Sequence, residues 1–308
     1  MEEFFNSALE LSGQVVILFV LMSVGFICTK TKLVTDKSIS GFVNVLLYIV
    51  TPCLIVNSFL SVEFSSKTIT SLAIAAGCAV ISHLIGILIS HIVRENDKRR
   101  RAVLRFGTIF SNAGYMGLPL AQALFGSEGV FYGSIYVVVF NIIQWTYGIT
   151  LYNKGNNSLI KTLVNPGTIG VIIGLPLFLL KINLPEIIGT PVNYLASLNT
   201  PLAMMVTGYY FACSDFRNGM KNAKMWLVIS LKMIVVPMIA LLIFKYVFSL
   251  SGVLLCSCVL PISAPTAVNT MILASKYESD TDMGLKLVTL STLFSVITMP
   301  LILAFAQI

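Results

Sequence analysis

Two stretches of this sequence place helix-breaking and hydrogen-bonding residues inside otherwise apolar runs. The first reads Phe110-Ser111-Asn112-Ala113-Gly114-Tyr115-Met116-Gly117-Leu118-Pro119, the second Pro261-Ile262-Ser263-Ala264-Pro265-Thr266-Ala267-Val268-Asn269. Proline removes a backbone donor and its ring displaces the carbonyl one turn earlier, and glycine weakens a helix interior, so neither stretch suits a continuous helix. The expected breakers are Gly117 and Pro119 in the first and Pro261 and Pro265 in the second. Inside a membrane, the freed backbone groups must be satisfied by protein, water or a ligand. N–H groups released at the start of a half-helix favour an anion, and the Asn112 amide adds two donors. The chemistry on offer is recognition of an anionic group. A plain helix-to-helix hydrogen bond is the competing use of Asn112.

Two further residues carry charge chemistry. Lys232 and His83 lie within long apolar runs, where ionisable groups are costly and usually functional. Lys232 reads as a fixed positive charge in a vacated cation site, as an attractor for an anion, or as a side chain snorkelling to an interface. His83 reads as a proton-coupling group or a satisfied buried histidine. No Asp or Glu lies deep in any run, so a carboxylate proton relay or an acidic sodium site has no candidate. Enzymatic chemistry finds no paired intramembrane Asp, no His-Glu-x-x-His and no plausible Ser/His spacing. The six cysteines, Cys28, Cys53, Cys78, Cys213, Cys256 and Cys258, read as small buried hydrophobes without a Cys-x-x-Cys motif. No metal and no cofactor is expected.

Composition says what must position these residues. Of 308 residues, 56% are hydrophobic and 11% charged, with a net charge of +7, whereas a soluble domain carries about 25% charged residues. A membrane-crossing helix needs about 20 apolar residues. Breaks in the apolar pattern give ten spans, near 10–30, 38–60, 68–92, 102–125, 129–152, 165–181, 190–213, 224–248, 252–275 and 284–307. Alternating strands with Asn-Gly hairpins are missing, which argues against an outer-membrane barrel. Met1-Glu2-Glu3 lacks the basic start of a cleaved signal peptide, so the first run is expected to stay. Odd-numbered connections hold 16 of the 20 Lys and Arg residues, among them Arg94, Lys98, Arg99, Arg100 and Arg101. Even-numbered connections and both ends hold only Lys67 and Lys181. Because basic loops stay cytoplasmic, this alternation predicts both termini outside, in the plasma membrane (a bacterial inner membrane), with the lipid bilayer as partner. It makes the basic run topogenic, and no nucleic acid is expected to bind it.

The chain also repeats. Asn44 and Thr51-Pro52 recur as Asn193 and Thr200-Pro201, both displaced by 149 residues. Five spans per half is an odd number, so the halves must enter the membrane from opposite sides. The expected architecture is an all-α polytopic membrane protein of ten transmembrane helices in two inverted five-helix repeats, 1–152 and 165–308. A short cytoplasmic linker, 153–164, joins them. Broken helices 4 and 9 cross at the midplane. Inverted repeats with matched interruptions are a transporter pattern. Thr-Pro kinks in two unrelated helices are the alternative.

Through Ser111–Pro119, Asn165-Pro166, and Pro265 followed by Ala274-Ser275-Lys276-Tyr277, the whole chain resembles the auxin efflux carrier family, which includes plant PIN-FORMED exporters and bacterial malate or malonate permeases. The resemblance implies a scaffold of helices 1, 2, 6 and 7 and a transport domain of helices 3–5 and 8–10, working by an elevator mechanism. It implies that Asn112 contacts a substrate carboxylate, that Thr51 sits on the scaffold side and that Trp145 is an aromatic pocket position. Gly114, Pro265, Thr266 and Asn269 complete the expected binding set. The plant exporters have proline where this chain has Ser111, a second Asn where it has Gly167, and an acid and a lysine early in helix 3 where it has apolar and small residues. A small organic anion is therefore the expected substrate, with an auxin-like aromatic monocarboxylate as the alternative. A non-transporting receptor or scaffold is the rival of another class. A homodimer through the scaffold helices is the protein partner that this reading allows.

Overall fold

A computed structural model describes residues 2–152, 166–213 and 222–307. The linker 153–164, Asn165, Arg217 and Lys221 lie outside the described residues. Among the described residues, regular structure is helical apart from one isolated bridge. In chain order the helices are α1 (Glu2–Lys30), α2 (Asp36–Ser61), α3 (Ser66–Ser90), α4 (Lys98–Ile109), α5 (Ala113–Tyr152), α6 (Pro166–Leu179), α7 (Glu186–Ser197), α8 (Asn199–Cys213), α9 (Ala223–Val247), α10 (Gly252–Ser263), α11 (Asn269–Lys276) and α12 (Thr281–Gln307). Five of these, α2, α3, α5, α9 and α12, are long and apolar enough to cross a membrane. Shorter apolar helices occupy Val16–Lys30, Ile169–Leu179 and Gly252–Ser263.

Helix α5 is not a rod. Its 40 residues would stretch about 60 Å at 1.5 Å per residue, twice the hydrocarbon thickness of ~30 Å. The chain instead reverses at Gly126, whose φ of 59° suits glycine. A Cβ built on Gly133 would lie 3.1 Å from the Leu118 side chain, a contact between residues a straight helix would hold four turns apart. The segments of α5 on either side of Gly126 thus fold back against one another.

Prolines shape several of the long helices. Thr51-Pro52, Leu118-Pro119 and Val236-Pro237 each follow directly on a π-helical turn, at Leu46–Val50, Ala113–Gly117 and Leu231–Val235. A proline has no N–H to give, and its ring pushes on the carbonyl one turn back, so the preceding turn widens. Pro119 therefore opens the helix beyond the break, at a first-turn position where no donor is needed. It does not make the break, as the sequence had suggested. Pro261 likewise lies inside α10, and the interruption comes three residues later. Gly117 faces it: an added Cβ there would sit 3.6 Å from Pro261 Cα, so the two residues mark a close approach of α5 and α10.

The charged loops pair across the basic end of the molecule. Asp97 caps α4 through the Arg99 N–H at 2.8 Å, and Asn222 caps α9 through the Lys224 N–H at 3.0 Å. Glu95 accepts from Lys224 Nζ at 2.8 Å, and this ammonium holds the carboxyl below the usual glutamate range. Cys213 differs from its expected burial: it stands exposed where α8 ends, because the apolar run stops there.

Helices α1 and α8 approach each other closely. A Cβ on Gly25 would lie 2.2 Å from the Met205 carbonyl oxygen, and one on Gly208 would lie 2.0 Å from that of Met22. Small residues allow such backbone approach in membrane bundles. Gly208→Ala should therefore cost about 1–3 kcal/mol through overpacking, read as a lowered melting temperature in detergent. An unchanged melting temperature would contradict the close contact.

Candidate functional site

The two helix interruptions meet. Helix α4 ends at Ile109 with Phe110 extended, and α10 ends at Ser263 with Ala264 extended. The Asn112 N–H donates to the Pro265 carbonyl at 2.6 Å, and the Ala267 N–H donates to the Phe110 carbonyl at 2.9 Å. Together they form an antiparallel bridge centred on Ser111 and Thr266. Each break thereby satisfies backbone groups of the other. The Thr266 N–H donates to Ser291 Oγ at 3.1 Å, and Thr266 Oγ1 donates to the Gly107 carbonyl at 3.1 Å.

That choice leaves the Ile262 carbonyl without its helical donor, and Lys232 Nζ supplies one at 3.0 Å. The same ammonium donates to Ser111 Oγ. Lys232 is 0% exposed, so it points into the junction of the breaks and does not snorkel. No carboxylate pairs with it among the described residues. His83 is buried nearby: Nδ1 lies 2.7 Å from the Ala79 carbonyl, the ring packs 5.0 Å from that of Tyr136, and Nε2 has no partner.

Beside the bridge is a cavity of about 190 Å³. Five of the expected binding residues line it: Thr51 from α2, Asn112 and Gly114 at the break, Trp145 from α5 and Asn269 from α11. Pro265 and Thr266 do not reach its wall. Pro265 lends its carbonyl to Asn112 and Thr266 is spent on Gly107 and Ser291, so both hold the bridge together from behind. Asn112 is 2% exposed, and its Nδ2 has no partner. Asn269 Nδ2 donates to Gln144 Oε1 at 2.9 Å, and Thr51 Oγ1 donates to Asn199 Oδ1 at 3.4 Å. The Lys276 ammonium sits 5.9 Å from the Trp145 ring centre, within cation–π range.

Among the wall residues that the sequence did not single out as binding positions are Ser111, Asn141 and Gln144. Gln144 had a signal, being an uncharged amide deep in an apolar run, and polar groups placed there need a partner. The π-helical turns at Leu46–Val50, Ala113–Gly117 and Gln144–Gly148 each give side chains to the wall. Such widened turns often accompany function.

Gly114 faces open space, with nothing within 4 Å of an added Cβ. Gly114→Ala should therefore leave the melting temperature unchanged while it narrows the cavity and lowers solute affinity severalfold. A purified variant that melted early, or took up solute like wild type, would show that Gly114 does not border the working site.

Bilayer-length apolar helices beside a cavity walled by an unpartnered amide, with a buried lysine behind Ser111, describe a polytopic membrane protein with a candidate solute site. The chain belongs to the membrane transport protein family, whose sequence model matches residues 11–158 and 155–303. This is the auxin-efflux-carrier-like family that the Ser111–Pro119 motif resembles. An uncharacterized transporter of Methanothermobacter thermautotrophicus is 25% identical over 289 residues, covering 92% of this chain and 94% of the relative. An uncharacterized transporter of Methanocaldococcus jannaschii is 24% identical over 304 residues, covering 93% and 96%. The protein is a transporter, set in the bilayer and moving a small solute.

Proposed function

We propose that the protein is a secondary carrier of small organic carboxylate anions. The observation that carries this reading is the pair of unpartnered N–H donors on Asn112, buried at the cavity wall beside Ser111, whose hydroxyl is held by the Lys232 ammonium. A buried amide without an acceptor costs free energy, and a carboxylate oxygen relieves that cost. The ammonium behind Ser111 adds an attraction that is strong where water is excluded. Gln144 and Asn269 provide a second polar end, suited to another hydroxyl, carbonyl or carboxylate on a short molecule.

The way the wall is divided supports an elevator mechanism. Asn112, Trp145 and Asn269 belong to the helices expected to move, whereas Thr51 belongs to the scaffold. The backbone bridge between the breaks lets the first group travel as one body with its bound anion. The inverted-repeat reading is supported by the two family matches, which meet at residues 155–158, and by pairing between the helices that carry the repeated stretches. Thr51 bonds Asn199, and Asn57 bonds Asn193. In this reading the two breaks cross near the bilayer midplane, the basic end faces the cytoplasm of a bacterial cell, and both termini face outside.

Reconstitution in liposomes with radiolabelled malonate tests the assignment. Asn112→Ala should abolish uptake while expression and monodispersity stay intact; wild-type flux in that variant would sink the carboxylate site. Binding of malonate without flux in the wild-type protein would favour a receptor instead. Lys232→Gln removes a charge that travels with the site, so the dependence of flux on membrane potential should change. An unchanged dependence would reduce Lys232 to a donor for the Ile262 carbonyl.

A further inference from the structure

A second cavity, of about 590 Å³, opens at the basic end of α4. Four cations line it, Lys98, Arg99, Arg101 and Arg105, against one carboxylate, Glu278. The other acids nearby are already engaged. Asp97 caps α4, Glu95 pairs with Lys224 at 2.8 Å, and Asp280 pairs with Arg100 at 3.1 Å. Arg101 Nη1 donates to the Glu95 backbone carbonyl at 3.0 Å, a partner that carries no compensating charge. Arg105 Nε is buried with no partner. Among the described residues none of these four cations has an ion-pair partner. Three of them also crowd the first turn of α4, where the helix dipole already favours negative charge. Such an arrangement is costly unless an anion occupies it.

This cavity is separate from the carboxylate site. The buried Phe106 ring lies between them, 4.3 Å from that of Phe110 and 5.4 Å from that of Tyr152. Gly148 closes against the same rings: a Cβ there would meet Phe110 at 2.9 Å and Phe106 at 3.0 Å. No residue lines both cavities.

We propose that the basic cavity binds a phosphate-bearing anion. Guanidinium forks match the paired oxygens of phosphate, and several cations converging on one opening suit a group of more than one charged or strongly accepting oxygen. Its place at the ends of apolar helices, on the side where the basic loops gather, sets it at headgroup depth, where phospholipids present this chemistry. A soluble phosphorylated molecule presents it too. Bound there, the anion ties together α4, the end of α5 and the turn after α11. Tyr152 of this wall donates to the Thr270 carbonyl at 3.1 Å, next to Asn269 of the solute cavity. Occupancy therefore stiffens the half-helices on either side of the breaks. The proposal does not depend on what the other cavity carries.

Full-length protein, purified and delipidated in a neutral detergent, would be titrated with dioctanoyl phosphatidylglycerol, dioctanoyl phosphatidylcholine, inorganic phosphate and glycerol 1-phosphate while the melting temperature is followed. Phosphatidylglycerol should raise it saturably and phosphatidylcholine should not. Saturation by phosphate or glycerol 1-phosphate to the same plateau would identify a soluble occupant of the same site. The exposed double substitution Lys98→Gln with Arg99→Gln should weaken the apparent affinity about 25-fold, and Arg105→Gln about fivefold, at roughly a factor of five per cation. Arg105→Lys should recover part of that loss. If Arg105→Gln does not fold, the exposed pair decides. Equal response to both lipids, no response to any of the four ligands, or undiminished affinity in the double variant would overturn the proposal.

Discussion

Two backbone hydrogen bonds, Asn112 to Pro265 and Ala267 to Phe110, organise this molecule. A hydrocarbon environment gives no alternative partner for a bare peptide group, so a chain that interrupts one buried helix must find donors and acceptors elsewhere. Here a second interruption supplies them. Each break is tolerable only because the other is opposite it, and that mutual dependence fixes where α4, α5, α10 and α11 meet. Asn112 then has its backbone N–H committed to Pro265, while its side chain is left free at the cavity wall.

Lys232 follows from the same bookkeeping. The Thr266 N–H that would have bonded Ile262 is used by Ser291, so the Ile262 carbonyl needs another donor. A lysine can provide one without an acid, since a carbonyl oxygen and a hydroxyl oxygen both accept from it. The result is a buried lysine without a carboxylate partner among the described residues, separated by one hydroxyl from the cavity. Structural need and the proposed attraction for an anion therefore fall on one side chain. Its full burial rules out snorkelling.

Much of this was legible in the residues. Apolar run lengths and alternating loop charge identified a polytopic helical protein, because span length and basic loops are properties of single segments. Asn112, Gly114, Thr51, Trp145 and Asn269, expected as binding residues, all line one cavity. The chain's prolines were read less well. Proline marks a place where the helical ladder must adjust, but the adjustment can be a widened turn, as before Pro119, or can be absorbed within a helix, as at Pro261. Which occurs depends on neighbours.

What the sequence determined by itself was the local inventory: which stretches could not remain helical, which polar groups were stranded among apolar ones, and which end of the molecule was basic. Only the tertiary structure decided how those groups were spent. It turned Pro265 and Thr266 from expected solute contacts into the back of the bridge, and it brought Ser111, Asn141 and Gln144 to the wall. It also set four cations around a second cavity. The reason is that hydrogen-bond satisfaction in a membrane is settled between segments distant in the chain, so a residue's chemistry can be read from its type but its partner cannot.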